Sequence, residues 1–269
     1  MWQRIKTAIV LVIIVGIAMF ASQTPILFAP LLAIGVIIAA HEWTKLMPKW
    51  RQPALFVLLV LLLTLVSLMF KVTWLFWWAA SVVIWLMALS WVRVFPTSTN
   101  WYGKQLAVMG AVILTAAITA MFYLWQLSAW WLLYVFLLVW CADSGAYFVG
   151  RKLGRRKMAP NVSPNKSMEG LAGGLVTGLL VVVVISVFKL QLTGAALIAF
   201  VGLSALTILA SVLGDLFESM LKRRANVKDS GTILPGHGGV LDRIDSLLSA
   251  TPIFALGFWA IQQFGLMVV

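Results

Sequence analysis

The chain has 269 residues, of which 62% are hydrophobic and only 10% charged, with a formal net charge of +12. A soluble domain carries about 25% charged residues, so this chain lacks the polar groups needed to cover a water-exposed globule. Disordered, collagen-like and disulfide-scaffold classes are excluded by the same composition, and the chain reads as a protein whose solvent is largely lipid.

A membrane-crossing helix needs about 20 mostly apolar residues. Nine such segments are predicted, at 7–22, 25–41, 53–70, 72–92, 105–125, 129–149, 171–188, 194–217 and 247–268. The expected fold is therefore all-α, a polytopic bundle of about nine transmembrane helices. The first segment follows Arg4 and Lys6 as a signal peptide would. No small-residue cleavage site follows and a second span begins at once, so the segment is expected to be retained. The first two spans join near Gln23-Thr24-Pro25, and the third and fourth meet in a tight hairpin at Lys71. With no internal repeat, residues 1–269 read as one integral membrane domain: N-terminal helices over 1–128, and catalytic helices and loops over 129–269. Trp74, Trp77, Trp78, Trp130 and Trp131 lie near predicted helix ends, where interfacial anchors are expected. Cys141, the single cysteine, reads as a small buried hydrophobe, and with only His41 and His237 besides, a zinc site is not expected.

Placing the N-terminus in the cytoplasm puts 18 of the 20 Lys and Arg on that side: Arg4 and Lys6; Lys45, Lys49 and Arg51; Arg93 and Lys104; six within 151–166; and five within 222–243. Only Lys71 and Lys189 face outward, the bias expected of cytoplasmic loops. The C-terminus then falls in the periplasm of a bacterial-type inner membrane. The eight acidic residues (Glu42, Asp143, Glu169, Asp215, Glu218, Asp229, Asp242 and Asp245) also belong to the cytoplasmic loops and helix ends. Attraction to anionic lipid accounts for the cations but not for the carboxylates.

Two regions carry chemistry. The first runs from Asp143, near the inner end of its span, through Arg151, Lys152, Arg155, Arg156, Lys157 and Lys166, with hydroxyls at Ser163 and Ser167. These cations, with Gly150, Gly154 and Gly170 beside them, suit a polyanion, although the Walker A spacing is absent. In the second, Asp215, Glu218, Ser219 and Lys222 fall at i, i+3, i+4 and i+7 and so share one helix face. Arg223, Lys228 and Asp229 follow, then Pro235-Gly236-His237-Gly238-Gly239, and then Asp242, Arg243 and Asp245 lead into the last span. Carboxylates beside cations at two neighbouring helix ends suit Mg²⁺ carrying a phosphorylated substrate.

The stretch Ser219-Met220-Leu221-Lys222-Arg223, then Lys228-Asp229, then Pro235-Gly236-His237-Gly238-Gly239-Val240-Leu241-Asp242-Arg243-Ile244-Asp245 resembles the signature of the phosphatidate cytidylyltransferase (CDP-diacylglycerol synthase) family. Asp143-Ser144-Gly145-Ala146-Tyr147, Ser163 to Gly170 and Glu42-Trp43 also resemble it, with Ser167 where Thr is common. The resemblance implies transfer of a cytidylyl group from CTP to phosphatidate with Mg²⁺, giving CDP-diacylglycerol and pyrophosphate. Asp215 and Asp242 are then expected at the metal, with Asp143 and Asp245 either as further ligands or behind the ligands, supporting them. Lys222, Arg223, Lys228 and Arg243 are expected to hold phosphates. Lys157, Lys166, Ser163, Ser167, Ser219 and Asp229 would place the nucleotide or lipid head, and His237, Gly238 and Gly239 would line the triphosphate. The resemblance further implies a homodimer and a monovalent cation such as K⁺ near the magnesium, with no nucleic-acid partner. On this reading Asp215→Asn or Asp242→Asn removes turnover and leaves stability intact. A transporter is disfavoured because the carboxylates gather at one face and no repeat is evident. A CDP-alcohol phosphotransferase is disfavoured because its D-G-x-x-A-R pattern is absent.

Overall fold

A computed structural model describes residues 2–47, 50–97 and 103–267. Lys49, one of the cations assigned to the cytoplasmic side, and the C-terminal Val269 lie outside the described residues. Nine α-helices follow one another: α1 (Trp2–Phe20), α2 (Phe28–Lys45), α3 (Pro53–Met69), α4 (Trp74–Val94), α5 (Lys104–Leu127), α6 (Ala129–Leu153), α7 (Met168–Val184), α8 (Gly194–Ala225) and α9 (Leu241–Gln263). A short antiparallel hairpin, β1 (Lys157–Ala159) and β2 (Ser163–Ser167), sits between α6 and α7.

Among the described residues, six helices are long and apolar enough to cross a membrane: α4 with its leading 3-10 turn, α5, α6, α7 with its trailing π turn, α8 and α9. The apolar parts of α1 and α3 are shorter, and the last turns of α2 carry His41, Glu42 and Lys45. The chain is thus an all-helical membrane-type bundle with six candidate spans, where the sequence predicted about nine.

Local sequence sets the helix ends. Pro53 opens α3, where its missing N–H costs nothing. Ser128 caps α6 by accepting from the Trp130 amide, and Ser167 caps α7 by accepting from Gly170. Asn226, at φ 55°, closes α8 in the left-handed conformation after Lys222, Arg223 and Arg224 in the last turn. With 32 residues α8 is about 48 Å long, well beyond a hydrocarbon core of about 30 Å. One end of it therefore projects into the headgroup region or water.

Helix α5 forms the hub, buried along most of its length and packed against α2, α3, α4, α6 and α9. Large apolar side chains face outward, as with Ile13 on α1, Leu62 on α3 and Leu180 on α7, which suits a lipid solvent. Trp74, Trp78 and Trp131 depart from the anchoring role expected of them: they are buried core residues, with Trp74 Nε1 donating to the Ser67 carbonyl at 2.6 Å and Trp78 Nε1 to Thr119 Oγ1 at 3.2 Å. Trp130 remains exposed.

Long-range hydrogen bonds define the two ends of the bundle. At one end Trp43 Nε1 donates to the Leu106 carbonyl (3.1 Å), Asn161 Nδ2 to that of Phe95 (3.1 Å) and Thr7 Oγ1 to that of Pro235 (3.2 Å). At the other, Trp125 Nε1 donates to the Met19 carbonyl (3.0 Å), Tyr123 bonds Gln262 (3.0 Å), and Lys71 lies 5.6 Å from the Trp74 ring. The cation-rich connections that the charge pattern grouped together meet at the first end.

Candidate active site

The site is organised by a close crossing of α8 and α9. A side chain at Gly214 would meet the backbone carbonyl of Asp245 at 2.5 Å and also the Ser249 hydroxyl. Only glycine lets the two backbones approach this far, and the next residue on α8 is Asp215. Lys166 Nζ, carried by β2, pairs with Asp215 Oδ2 at 2.6 Å, and Ser219 Oγ donates to Asp215 Oδ1 at 3.2 Å. Asp245 lies within electrostatic range of Asp215, Lys166 and Lys222, and Asp143 within range of Lys166 and Asp215. Lys166 thus pairs directly with one carboxylate, Asp215 on α8, while Asp143 on α6 and Asp245 on α9 lie within range of its charge.

One turn further along α8, Lys222 sits between two buried carboxylates. It pairs with Glu218 on its own helix and with Asp242 Oδ1 at 2.7 Å. Glu218 is 2% exposed, and its oxygens have no partner but this ammonium among the described residues. Asp242 Oδ2 accepts from the Ser230 amide (2.9 Å), the Ser230 hydroxyl (2.9 Å) and the Gly239 amide (2.8 Å). Both oxygens of Asp242 are therefore engaged by protein donors. This carboxylate, expected at a metal, fastens the 230–239 loop and Lys222.

Lys166 reaches Asp215 because α6 and α7 are closely joined. A side chain at Gly174 would meet the Ala142 carbonyl at 2.7 Å, so α7 lies against the α6 backbone beside Asp143. Above this contact the Glu169 carboxylate accepts from the backbone amides of Arg155 and Arg156 (3.0 and 3.1 Å), and the Met168 amide donates to the Arg156 carbonyl at 2.8 Å. The region predicted as a cationic loop is in fact the end of α6 and an anchored hairpin. Asp143 consequently lies well inside α6, not at its end.

The structure brings Asp143, Lys166, Asp215, Ser219, Lys222, Asp242 and Asp245 together. Lys157, Lys228, Asp229 and Arg243 are exposed, and none makes an ion pair with the charged groups of this cluster among the described residues. Arg223 Nε donates to the Val162 carbonyl at 3.4 Å, Ser163 is half-buried where the hairpin pairs it with Ala159, and Ser167 is the α7 cap. Gly238, at φ 80°, lies against Asp242 Oδ2 and Asp229 Cβ. His237 is half-buried; its amide bonds the Leu234 carbonyl at 2.9 Å, and its Nδ1 is buried without a hydrogen-bond partner. Sequence reasoning gave no role to Gly214, Ser230 or Glu42. Glu218 was placed on the α8 face but not assigned. The i, i+4 spacing to Lys222 was the available signal for Glu218.

The donor set fits a divalent cation that arrives with phosphate. Among the described residues no three His, Cys, Asp or Glu side chains are grouped to cage an ion by themselves. Mg²⁺ commonly takes only one or two carboxylates and completes its shell with water and phosphate oxygens. Asp215 and Asp245, carried on the two helices that cross at Gly214 and within electrostatic range of each other, match that need.

Comparison with known proteins agrees with this chemistry. A family profile described as the Cytidylyltransferase family matches residues 2–261. The chain is 37% identical to the phosphatidate cytidylyltransferase of Haemophilus influenzae, over 94% of this chain and 96% of that protein. It is 40% identical to that of Pseudomonas aeruginosa, over 96% and 97%. The enzyme of Bacillus subtilis is 49% identical over a shorter stretch, 47% of this chain and 46% of its own length. A match this long, on a bundle that gathers its carboxylates and lysines at one end, establishes that the chain belongs to the Cytidylyltransferase family.

Proposed function

We propose that the chain is a phosphatidate cytidylyltransferase of a bacterial inner membrane, acting on CTP and phosphatidate. The observation that carries this reading is the pairing of Asp215 with Lys166 and of Asp242 with Lys222, with Asp143 and Asp245 within range of these charges, at the cation-rich end of the bundle. Two polyanions must approach each other there, and fixed cations offset their repulsion.

In the reaction an oxygen of the phosphatidate phosphate bonds to the α-phosphorus of CTP. The bond from that phosphorus to the oxygen bridging the α and β phosphates breaks, and its electron pair leaves with pyrophosphate. The lipid phosphate is ionised near neutral pH, so no side-chain base is needed. Lys222, steadied between Glu218 and Asp242, holds phosphate oxygens; Lys166, on Asp215, faces the same space. Arg223, Lys228 and Arg243 supply further positive charge from the rim, and His237 lines the triphosphate. Asp215 and Asp245, with Asp143 beside them, would hold Mg²⁺, which neutralises phosphate charge when bound. Asp242 acts on Lys222 and the loop. The finer features also belong to this proposal: nine spans, a cytoplasmic N-terminus and site, a periplasmic C-terminus, a homodimer and a K⁺ ion near the magnesium.

The test is conversion of labelled CTP and phosphatidate by purified protein in detergent. The expected result is CDP-diacylglycerol and pyrophosphate in equal amounts with Mg²⁺, and none after chelation. Failure to form CDP-diacylglycerol with any divalent ion overturns the proposal.

A further inference from the structure

Glu42 lies in the N-terminal half, on α2, and is 2% exposed. No ion pair is formed by it among the described residues. Its partners are all from the loop that leads into α9. Oε1 accepts from the Val240 amide at 3.2 Å, and Oε2 accepts from the Leu241 amide at 2.7 Å and the Ser230 hydroxyl at 3.4 Å. The last of these partners reaches Glu42 across 188 positions of chain and the Leu241 amide across 199.

This arrangement replaces a local cap. The residue at the N-cap of α9 is Val240, whose side chain cannot accept a hydrogen bond. The orphan amides at the start of α9 are satisfied instead by a carboxylate from another helix, where the positive end of the helix dipole favours it. The loop is built around that carboxylate. A side chain at Gly231 or at Gly239 would collide with the Glu42 carboxyl group. The glycine at 239 is therefore required where it stands by Glu42, in addition to any use of its amide.

The clamp continues into the site. Three consecutive amides, of Gly239, Val240 and Leu241, are taken by two carboxylates: the first by Asp242, the other two by Glu42. The single Ser230 O–H lies between both acids, closer to Asp242 at 2.9 Å than to Glu42 at 3.4 Å. Asp242 in turn holds Lys222. Glu42 itself is rigidly supported, because the neighbouring Trp43 donates to the Leu106 carbonyl and fills the space at Gly110 on α5.

We infer that Glu42 is a positioning residue for the nucleotide site, fixing the 230–241 loop and, through Ser230 and Asp242, the ammonium group of Lys222. The inference rests on the functional reading above and extends it to a residue outside the catalytic half. Its function is to set where phosphate-binding groups stand; the fold is held by the helix packing around it.

The experiment compares wild type, Glu42→Gln and Glu42→Asp by steady-state kinetics in detergent, with melting temperature and hydrogen exchange over residues 230–245. Gln cannot accept at both oxygens, so exchange at Val240 and Leu241 should rise. KM for CTP should rise about tenfold or more, the scale of one lost hydrogen bond to a charged group. KM for phosphatidate should stay within about twofold, and Glu42→Asp should recover part of the CTP effect. If Glu42→Gln cannot be purified folded, Ser230→Ala should give the same selective rise in smaller measure. A fall in kcat matching the folded fraction, with both KM values unmoved, overturns the inference and leaves Glu42 a folding residue. Unchanged kinetics also overturn it. Absence of product from the wild type instead removes the functional reading itself, and this inference with it.

Discussion

Asp242→Asn and Asp215→Asn make the same chemical change at two carboxylates of one site, yet the structure assigns them different costs. Asp242 is 7% exposed and all its donors come from the protein. An amide there must turn its NH₂ either toward the Ser230 and Gly239 donors or toward Lys222. The first choice forfeits hydrogen bonds to a charged acceptor, each worth about 1.5–3 kcal/mol. The second leaves Lys222 without one of its two counter-charges in a mostly buried position. The second choice is the cheaper, and its loss is about 3 kcal/mol, or roughly 6–12 °C in melting temperature by the usual scaling with chain size. Asp215 faces Lys166 with side chains 30% and 25% exposed, so solvent screens the pair and its loss costs about 0–1 kcal/mol. Thermal unfolding in detergent, read beside turnover, separates the two. Both variants should lose CDP-diacylglycerol formation, but only Asp242→Asn should melt markedly early. Equal melting temperatures, or a less stable Asp215→Asn, would refute the assignment of Asp242 to the loop. The sequence reading expected both to spare stability.

Three further outcomes are expected. Gly214→Ala forces a methyl group against the Asp245 carbonyl; overpacking of this kind costs about 1–3 kcal/mol, and Mg²⁺-dependent turnover should fall with the shift of Asp215 from Asp245. Lys166→Met removes the ammonium paired with Asp215. Turnover should drop at least about tenfold while melting changes by no more than about 1 kcal/mol, since the pair is solvent-screened. A topology reporter inserted in the 157–167 hairpin should read cytoplasmic, and one fused after Val269 periplasmic; the reverse would deny CTP access to the site.

The sequence by itself determined the solvent, the helical class and the chemistry. Its composition allowed only a lipid-facing bundle, since a helix satisfies its own backbone in hydrocarbon. The i, i+3, i+4, i+7 spacing of Asp215, Glu218, Ser219 and Lys222 predicted a shared face because helical periodicity is local. The distribution of Lys and Arg likewise placed the cationic connections at one end. The sequence did not show that α6 runs on to Leu153, that residues 157–167 form a hairpin, or that Trp74 and Trp78 belong to the core. Those features depend on what packs against each segment. Only the tertiary structure decided that the helices carrying Asp215 and Asp245 cross at Gly214, that Asp242 spends its oxygens on Ser230, Gly239 and Lys222, and that Glu42 caps a helix beginning 199 positions later. The physical reason is that a carboxylate's role is set by the donors around it, and here those donors come from segments far apart in the chain, joined only when α2, α8 and α9 meet.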